Sequence, residues 1–263
     1  MDIIPLDIDC VRWIKPGDNI FAKFVMECIG CMIFHFVGSV SPNALANAIV
    51  LLVLVYYTSK VSGAHLNPAV SLTFTILGHT TPVEMMIYWT AQIIGCIFGA
   101  LWVACLIPTL AIRGVDHRYD GCFIPDNRLN RAEIFGWEAL CTFNFILPIF
   151  AVVWFTETKS GYGNTGPFIV GMSLLANALA CGPWTGGALN PARVLGSPAV
   201  FNCDNKQWIF YYIIGELTGA VAAAITLIPW YGISSDAWYI HTVAKKYKEK
   251  LILFQPFPKQ NQE

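Results

Sequence analysis

Six stretches of almost unbroken apolar sequence, at about residues 20–40, 44–61, 83–107, 134–156, 167–182 and 207–231, dominate this chain. A helix needs about 20 mainly apolar residues to cross the hydrocarbon of a bilayer, and only helices and closed barrels can do so with every peptide group paired. The stretches therefore predict an all-α membrane protein with six transmembrane helices. Composition agrees: 56% of the 263 residues are hydrophobic and 13% are charged, against roughly 25% charged residues in a soluble domain. The formal net charge of -1 creates no global field, and no basic patch interleaved with aromatics occurs, so nucleic acid is not an expected partner. The opening MDIIPLDIDC is acidic, holds Pro5 and lacks a positive n-region, so no cleaved leader is expected.

Six spans return both termini to one side. The Lys-rich AKKYKEK places that side in the cytoplasm by the positive-inside rule, which makes 1–19 and 232–263 cytoplasmic segments. The plasma membrane is the expected location, with an internal membrane as the alternative. One segment resists this orientation: 113–133, assigned outside, carries Arg113, Arg118, Arg128 and Arg131. The nine cysteines show no metal-like grouping. Cys28 and Cys31 flank Ile-Gly within a predicted span, without the polar company of a redox or zinc site. Cys122, Cys181 and Cys203 fall in or near loops on one predicted face, where a disulfide is conceivable but unassigned.

Two polar segments interrupt this pattern, SGAHLNPAV (62–70) and TGGALNPAR (185–193). Each leads into an apolar run of 10–12 residues, too short to span, which predicts re-entrant half-helices over 67–77 and 190–200. The interruptions belong to an internal repeat. Glu27 in AKFVMECIGCMIF answers to Glu138 in GWEALCTFNFILP, Asn67 to Asn190, and Gln92 to Glu216, each of the last pair followed three residues later by Gly. A first repeat over 20–112 and a second over 134–231, joined by 113–133, each hold three spans. An odd number inverts the second copy, and inverted repeats place their shared site near the midplane. Pro68 and Pro191 suit a first helical turn, where no N–H is needed, and Asn67 and Asn190 are N-cap candidates. Half-helices entering from opposite faces would meet end to end, each N-terminus carrying roughly +0.5 elementary charge, a barrier to cations.

The two Asn-Pro-Ala boxes (Asn67, Pro68, Ala69 and Asn190, Pro191, Ala192), their flanks and the paired glutamates resemble the aquaporin, or major intrinsic protein, family over about Phe21 to Trp230. The resemblance implies an inverted-repeat helical bundle with one pore per subunit, usually a homotetramer, conducting passively and without cofactor. Water, small uncharged solutes and membrane lipid are then the expected partners. No nucleophile–base or metal constellation is apparent, so an enzyme is not expected.

Charged side chains inside a membrane cost about 2.5–3.5 kcal/mol on insertion scales. Glu27 and Glu138 are best read as acceptors for the backbone N–H groups of the re-entrant loops, a role that the resemblance favours over proton relay; His65 is read as a brace of the first loop. Gly95, Gly99, Gly215 and Gly219 have the spacing of close helix packing. His35 and Asn144 are expected to face inward. Arg193 combines a permanent charge with fixed donors, suited to a neutral solute and hostile to cations.

Counting from the boxes, the resemblance puts a four-residue selectivity filter on Asn47, Ala178, Gly187 and Arg193. Water-selective members typically have an aromatic at the first position and His at the second; this chain has neither, and no aromatic is expected at the filter. Val194, after the Arg, departs from the Asp usual in glycerol conductors. A permissive channel for water with glycerol, urea, metalloid acids, ammonia or hydrogen peroxide is expected, excluding protons and ions. The alternatives are a strictly water-selective channel, an inverted-repeat secondary transporter and a non-conducting adhesive tetramer.

Overall fold

The computed structural model describes residues 19–107, 120–157, 165–204, 206–231 and 233. Among them are α1 (Ile20–Val40), α2 (Ala44–Ser62), α3 (Pro68–Ile76), α4 (Pro82–Leu106), α5 (Arg131–Glu157), α6 (Gly166–Thr185), α7 (Pro191–Gly196) and α8 (Ile209–Tyr231). A 3-10 turn at Ser197–Ala199 extends α7, and no strand occurs among the described residues. Six helices, α1, α2, α4, α5, α6 and α8, are long and apolar enough to cross a membrane. Their outer faces leave Phe21, Ile49, Leu140, Phe168, Leu179 and Trp230 exposed.

Helix ends follow local chemistry more closely than hydropathy. α5 begins three residues before the apolar run because Asn130 accepts the N–H groups of Ala132 (2.9 Å) and Glu133 (3.1 Å), while Glu133 returns an acceptor to Asn130 N (2.7 Å). That reciprocal cap extends the helix into polar sequence. α6 continues past Gly182 and Pro183 to Thr185, and stops where Gly186 turns left-handed (φ +83°) and returns its N–H to Gly182 O. It is a 20-residue helix, not the short span that hydropathy predicts. Between α1 and α2 only Ser41, Pro42 and Asn43 intervene, and Asn43 caps α2 by accepting from Ala46 N at 2.8 Å.

The spanning helices pack through small residues. A Cβ added at Gly95 would lie 2.3 Å from Cys28 O, and one at Gly99 2.5 Å from Met32 O, so α4 lies directly against the backbone of α1. In the second half the same positions press α8 onto α5: a Cβ at Gly219 would lie 2.3 Å from Ala139 O, and one at Gly215 2.7 Å from Phe135 O. Neither obstacle is a movable side-chain end, so the helices must separate to admit a methyl group. Gly219→Ala should destabilise the protein by about 1–3 kcal/mol through overpacking. Gly136→Ala, where nothing lies within 4 Å, should be neutral in the same detergent thermal-unfolding series.

Candidate functional site: a two-chambered passage between paired re-entrant loops

The loops preceding α3 and α7 have the same backbone course. Gly63 and Gly186 both have φ +83°, Ala64 and Gly187 have φ +55° and +66°, and Leu66 and Leu189 have φ +50° and +52°. Ala64, Leu66 and Leu189 are non-glycine residues in the left-handed region, each costing on the order of 1–3 kcal/mol. Such strain persists only where the surroundings over-determine the loop.

Glu27 and Glu138 supply that determination. Glu27, fully buried, accepts from His65 N at 3.0 Å through Oε1 and from Leu66 N at 2.6 Å through Oε2. Ser62 Oγ (2.6 Å) and Gln92 Nε2 (2.8 Å) complete its shell. Glu138 repeats the arrangement: Oε1 accepts from Thr185 Oγ1 (2.5 Å) and Ala188 N (3.3 Å), and Oε2 from Leu189 N (2.9 Å). His65 braces the first loop, with Nδ1 3.1 Å from Ser71 Oγ and its ring centroid 4.8 Å from that of Tyr88.

Asn67 and Asn190 then meet. Asn67 Nδ2 donates to Leu189 O (2.7 Å), and Asn190 Nδ2 donates to Leu66 O (2.9 Å), a reciprocal exchange across 122 and 124 residues of sequence. Each Oδ1 caps its own helix, accepting from Ala69 N (2.9 Å) and Ala192 N (3.1 Å). Pro68 and Pro191 occupy first helical positions, as their missing N–H requires. An amide nitrogen carries two hydrogens. One on each Asn is engaged by the opposite loop.

Two cavities lie near this centre. One, about 370 Å³, is the Arg193 chamber; Asn47, Ala178, Gly187 and Arg193, the four positions counted from the sequence, all line it. Both Asn67 and Asn190 line the other chamber, about 270 Å³, with Leu66, Val70, Leu189 and His65. Leu174 borders both chambers. Arg193 is 4% exposed and lies between two rings, its Cζ 4.5 Å from the Phe34 centroid and 5.2 Å from that of Phe123. Gly38 leaves room for both side chains at this level: an added Cβ would lie 2.4 Å from Asn47 Oδ1 and 2.5 Å from Arg193 Nη2, and both ends would have to move. Asn47 Nδ2 donates to Asn43 O (2.9 Å), whereas Asn47 Oδ1 and Arg193 Nε are buried without a protein partner.

Several expectations are corrected here. The four counted positions hold no aromatic, but two rings lie against Arg193: Phe34 comes from the first span and Phe123, which lines the same chamber, from the irregular 120–130 stretch, where no periodicity signals an inward side chain. Asn144 does not face inward but is exposed on α5, on the helix face opposite buried neighbours such as Thr142 and Phe145. His35 is buried and pairs with Ser197 Oγ through Nε2 at 2.9 Å. Cys181 is not in a loop: it lies within α6, and its thiol donates to Asn177 O (3.0 Å). Cys122 and Cys203 form a disulfide. Tyr88 and Tyr212, which hydropathy does not mark out, donate their hydroxyls to Ser62 O and Thr185 O, both at 2.6 Å. The signal was their equal offset, four residues before Gln92 and Glu216. Glu216 accepts from Asn190 N at 2.7 Å. Outside the spans, Arg128 holds the Asp126 carboxyl down at about 2.

The family profile described as Major intrinsic protein matches residues 17–228. The chain belongs to the major intrinsic protein family. Among its relatives, Aquaporin TIP2-3 of Arabidopsis thaliana is 36% identical over 183 residues, covering 69% of this chain and 68% of that protein. Aquaporin NIP3-1 of Oryza sativa subsp. japonica is 33% identical over 191 residues, covering 71% of this chain. The match spans only 57% of that rice protein's length. The fold is also that of the X-ray structure of the aquaglyceroporin from Plasmodium falciparum, with a TM-score of 0.71 at 20% identity over 80% of this chain and 96% of that one.

Within this family architecture the glutamates can be separated from the pore by mutation. Glu138→Leu leaves the Ala188 and Leu189 N–H groups without an acceptor and the Thr185 hydroxyl with only Cys181 O, at 3.4 Å, at about 1–3 kcal/mol per stranded N–H. The yield of monodisperse protein and its unfolding temperature in detergent should both fall, and Glu138→Gln, which keeps one acceptor oxygen, should lie between.

Proposed function

We propose that the protein is a passive channel for water and small neutral polar solutes, excluding protons and ions. The observation that carries this reading is the lining of the Arg193 chamber, which we assign to the outer mouth and call the outer chamber. Arg193 presents fixed donors and Asn47 Oδ1 an unengaged acceptor, while Ala178 and Gly187 contribute almost no side-chain volume. A solute with both O–H or N–H donors and an acceptor, such as glycerol, urea, boric acid, ammonia or hydrogen peroxide, can exchange hydration for those groups. The Asn67 and Asn190 amides offer the next donors inward. A cation meets the Arg193 charge and the N-terminal end of α3, and both repel it. Both oxygens of Glu27 and of Glu138 are engaged by loop donors, and Glu216 is engaged through Oε1, which favours a channel over an ion-coupled transporter.

The same reading gives Asn67, Pro68, Ala69, Asn190, Pro191 and Ala192 the centre of the pore, and Asn47, Ala178, Gly187 and Arg193 its filter. It keeps the repeat boundaries 20–112 and 134–231 about the 113–133 link. The terminal segments 1–19 and 232–263 lie almost wholly outside the described residues, and we assign both to the cytoplasm. Support comes from the Cys122–Cys203 bond: it lies at the outer-chamber end, and disulfides persist in oxidising compartments. We assign the protein to the plasma membrane, with an internal membrane facing an oxidising lumen as the alternative. A homotetramer is supported by family membership and by the exposed polar Asn144 within a span, which a neighbouring subunit would cover better than lipid.

Stopped-flow light scattering on proteoliposomes, run with water, glycerol, urea and boric acid, tests the assignment. Asn47→Phe combined with Ala178→His should reduce solute permeabilities at least several-fold while water flux persists. Unchanged solute flux in that variant would remove Asn47 and Ala178 from the filter.

A further inference from the structure

Phe123 reaches the filter from an irregular segment, so something must hold it there. Three tethers do. Ser197 Oγ donates to Asp120 O at 2.6 Å, linking the segment to the end of α7. The Asp120 carboxylate accepts the N–H of Cys122 at 2.8 Å, and Asp126 N donates to Trp184 O at 2.7 Å, fastening the far side to α6. The third tether is covalent: Cys122, next to Phe123, is bonded to Cys203, 81 residues away, with the Cα atoms 5.7 Å apart. Cys203 is itself buried against Ala100, Val103 and Phe201, so the bond ties the segment to the packed ends of α4 and of the chain following α7. The held ring contributes to the outer chamber's wall. It touches Gly186, where an added Cβ would lie 3.2 Å from Phe123 Cδ1, and it covers one side of the Arg193 guanidinium.

We propose that the Cys122–Cys203 bond is a redox latch on the filter: closed, it clamps Phe123 over Arg193; opened by a dithiol reductant, it releases that wall and relaxes discrimination among neutral solutes. The proposal rests on the channel reading above and deepens it. Cys122 is half-buried and lines the chamber, whereas Cys203 is buried, so Cys122 Sγ is the sulfur open to attack. A thiolate of the reductant bonds to Cys122 Sγ, the S–S bond breaks, and Cys203 leaves as thiolate and takes up a proton. The reductant's second thiol, as thiolate, then displaces Cys122, which is protonated in turn. The reductant departs as its internal disulfide, and two electrons and two protons have passed to the protein. With the latch open, the Ser197–Asp120 and Asp126–Trp184 hydrogen bonds, packing against Ala188 and Val194 and the attraction between ring face and guanidinium are what still hold Phe123, and the chamber gains volume to the extent that the ring swings away.

The experiment uses the full chain in proteoliposomes, with water and glycerol permeabilities measured before and after dithiothreitol and the bond state followed by thiol labelling. The glycerol-to-water ratio should rise several-fold on reduction. Cys122→Ser with Cys203→Ser should show the raised ratio with or without dithiothreitol. Phe123→Ala should show it with the disulfide intact, which keeps the test decisive if the double variant does not fold. An unchanged ratio when labelling finds both thiols free, or a wild-type ratio in Phe123→Ala, overturns the latch alone. Water flux no faster than in empty vesicles overturns the channel reading and the latch with it.

Discussion

Peptide N–H groups that lie at membrane depth without helical partners must be given acceptors, and in this protein two buried carboxylates provide them. Glu27 takes His65 N and Leu66 N, and Glu138 takes Ala188 N and Leu189 N. Without these acceptors the left-handed residues of both loops would have no reason to hold their course, and the Asn side chains would not face each other. The cost of burying a carboxylate in a span is thus offset by the pairing of loop groups that would otherwise be stranded.

The repeat explains the centre, and its departures from symmetry make the two sides of that centre unlike. Ser62 and Thr185, Tyr88 and Tyr212, and Leu66 and Leu189 do equivalent work in the two halves. Elsewhere the copies diverge. Val70 stands where the second half has Arg193, Ala64 where it has Gly187, and His65 where it has Ala188. The first half consequently fills its side of the passage with loop bracing, while the second opens a polar chamber beside a fixed guanidinium. Direction along the pore arises from these substitutions on a common frame.

Much of this was legible in the sequence because the relevant constraints are local or periodic. Span lengths follow from hydropathy, half-helices from Asn-Pro ahead of a short apolar run, and Glu27 and Glu138 from the rarity of carboxylates in lipid. Asn47 lines the same cavity as Ala178, Gly187 and Arg193, although the short link before α2 made its register the hardest of the four to count. The illegible parts depend on long-range packing. Phe123 lies in a segment with no periodic pattern, and its inward position comes from tethers at Asp120, Cys122 and Asp126. Cys122 and Cys203 could be named as candidates, but Cys181 was an equal one until α6 proved to run on to Thr185. Asn144 shows the limit of assuming that a polar residue in a span faces its own bundle.

The account stands on the claim that paired amides and Arg193 admit neutral molecules while refusing charge. Proteoliposomes loaded with a pH-sensitive dye can report osmotic shrinkage and proton leak in the same vesicles. The account predicts water efflux that accelerates in proportion to the protein incorporated, with an imposed pH gradient decaying no faster than in protein-free vesicles. A gradient that collapses in proportion to protein content, or shrinkage that protein does not accelerate, would contradict it.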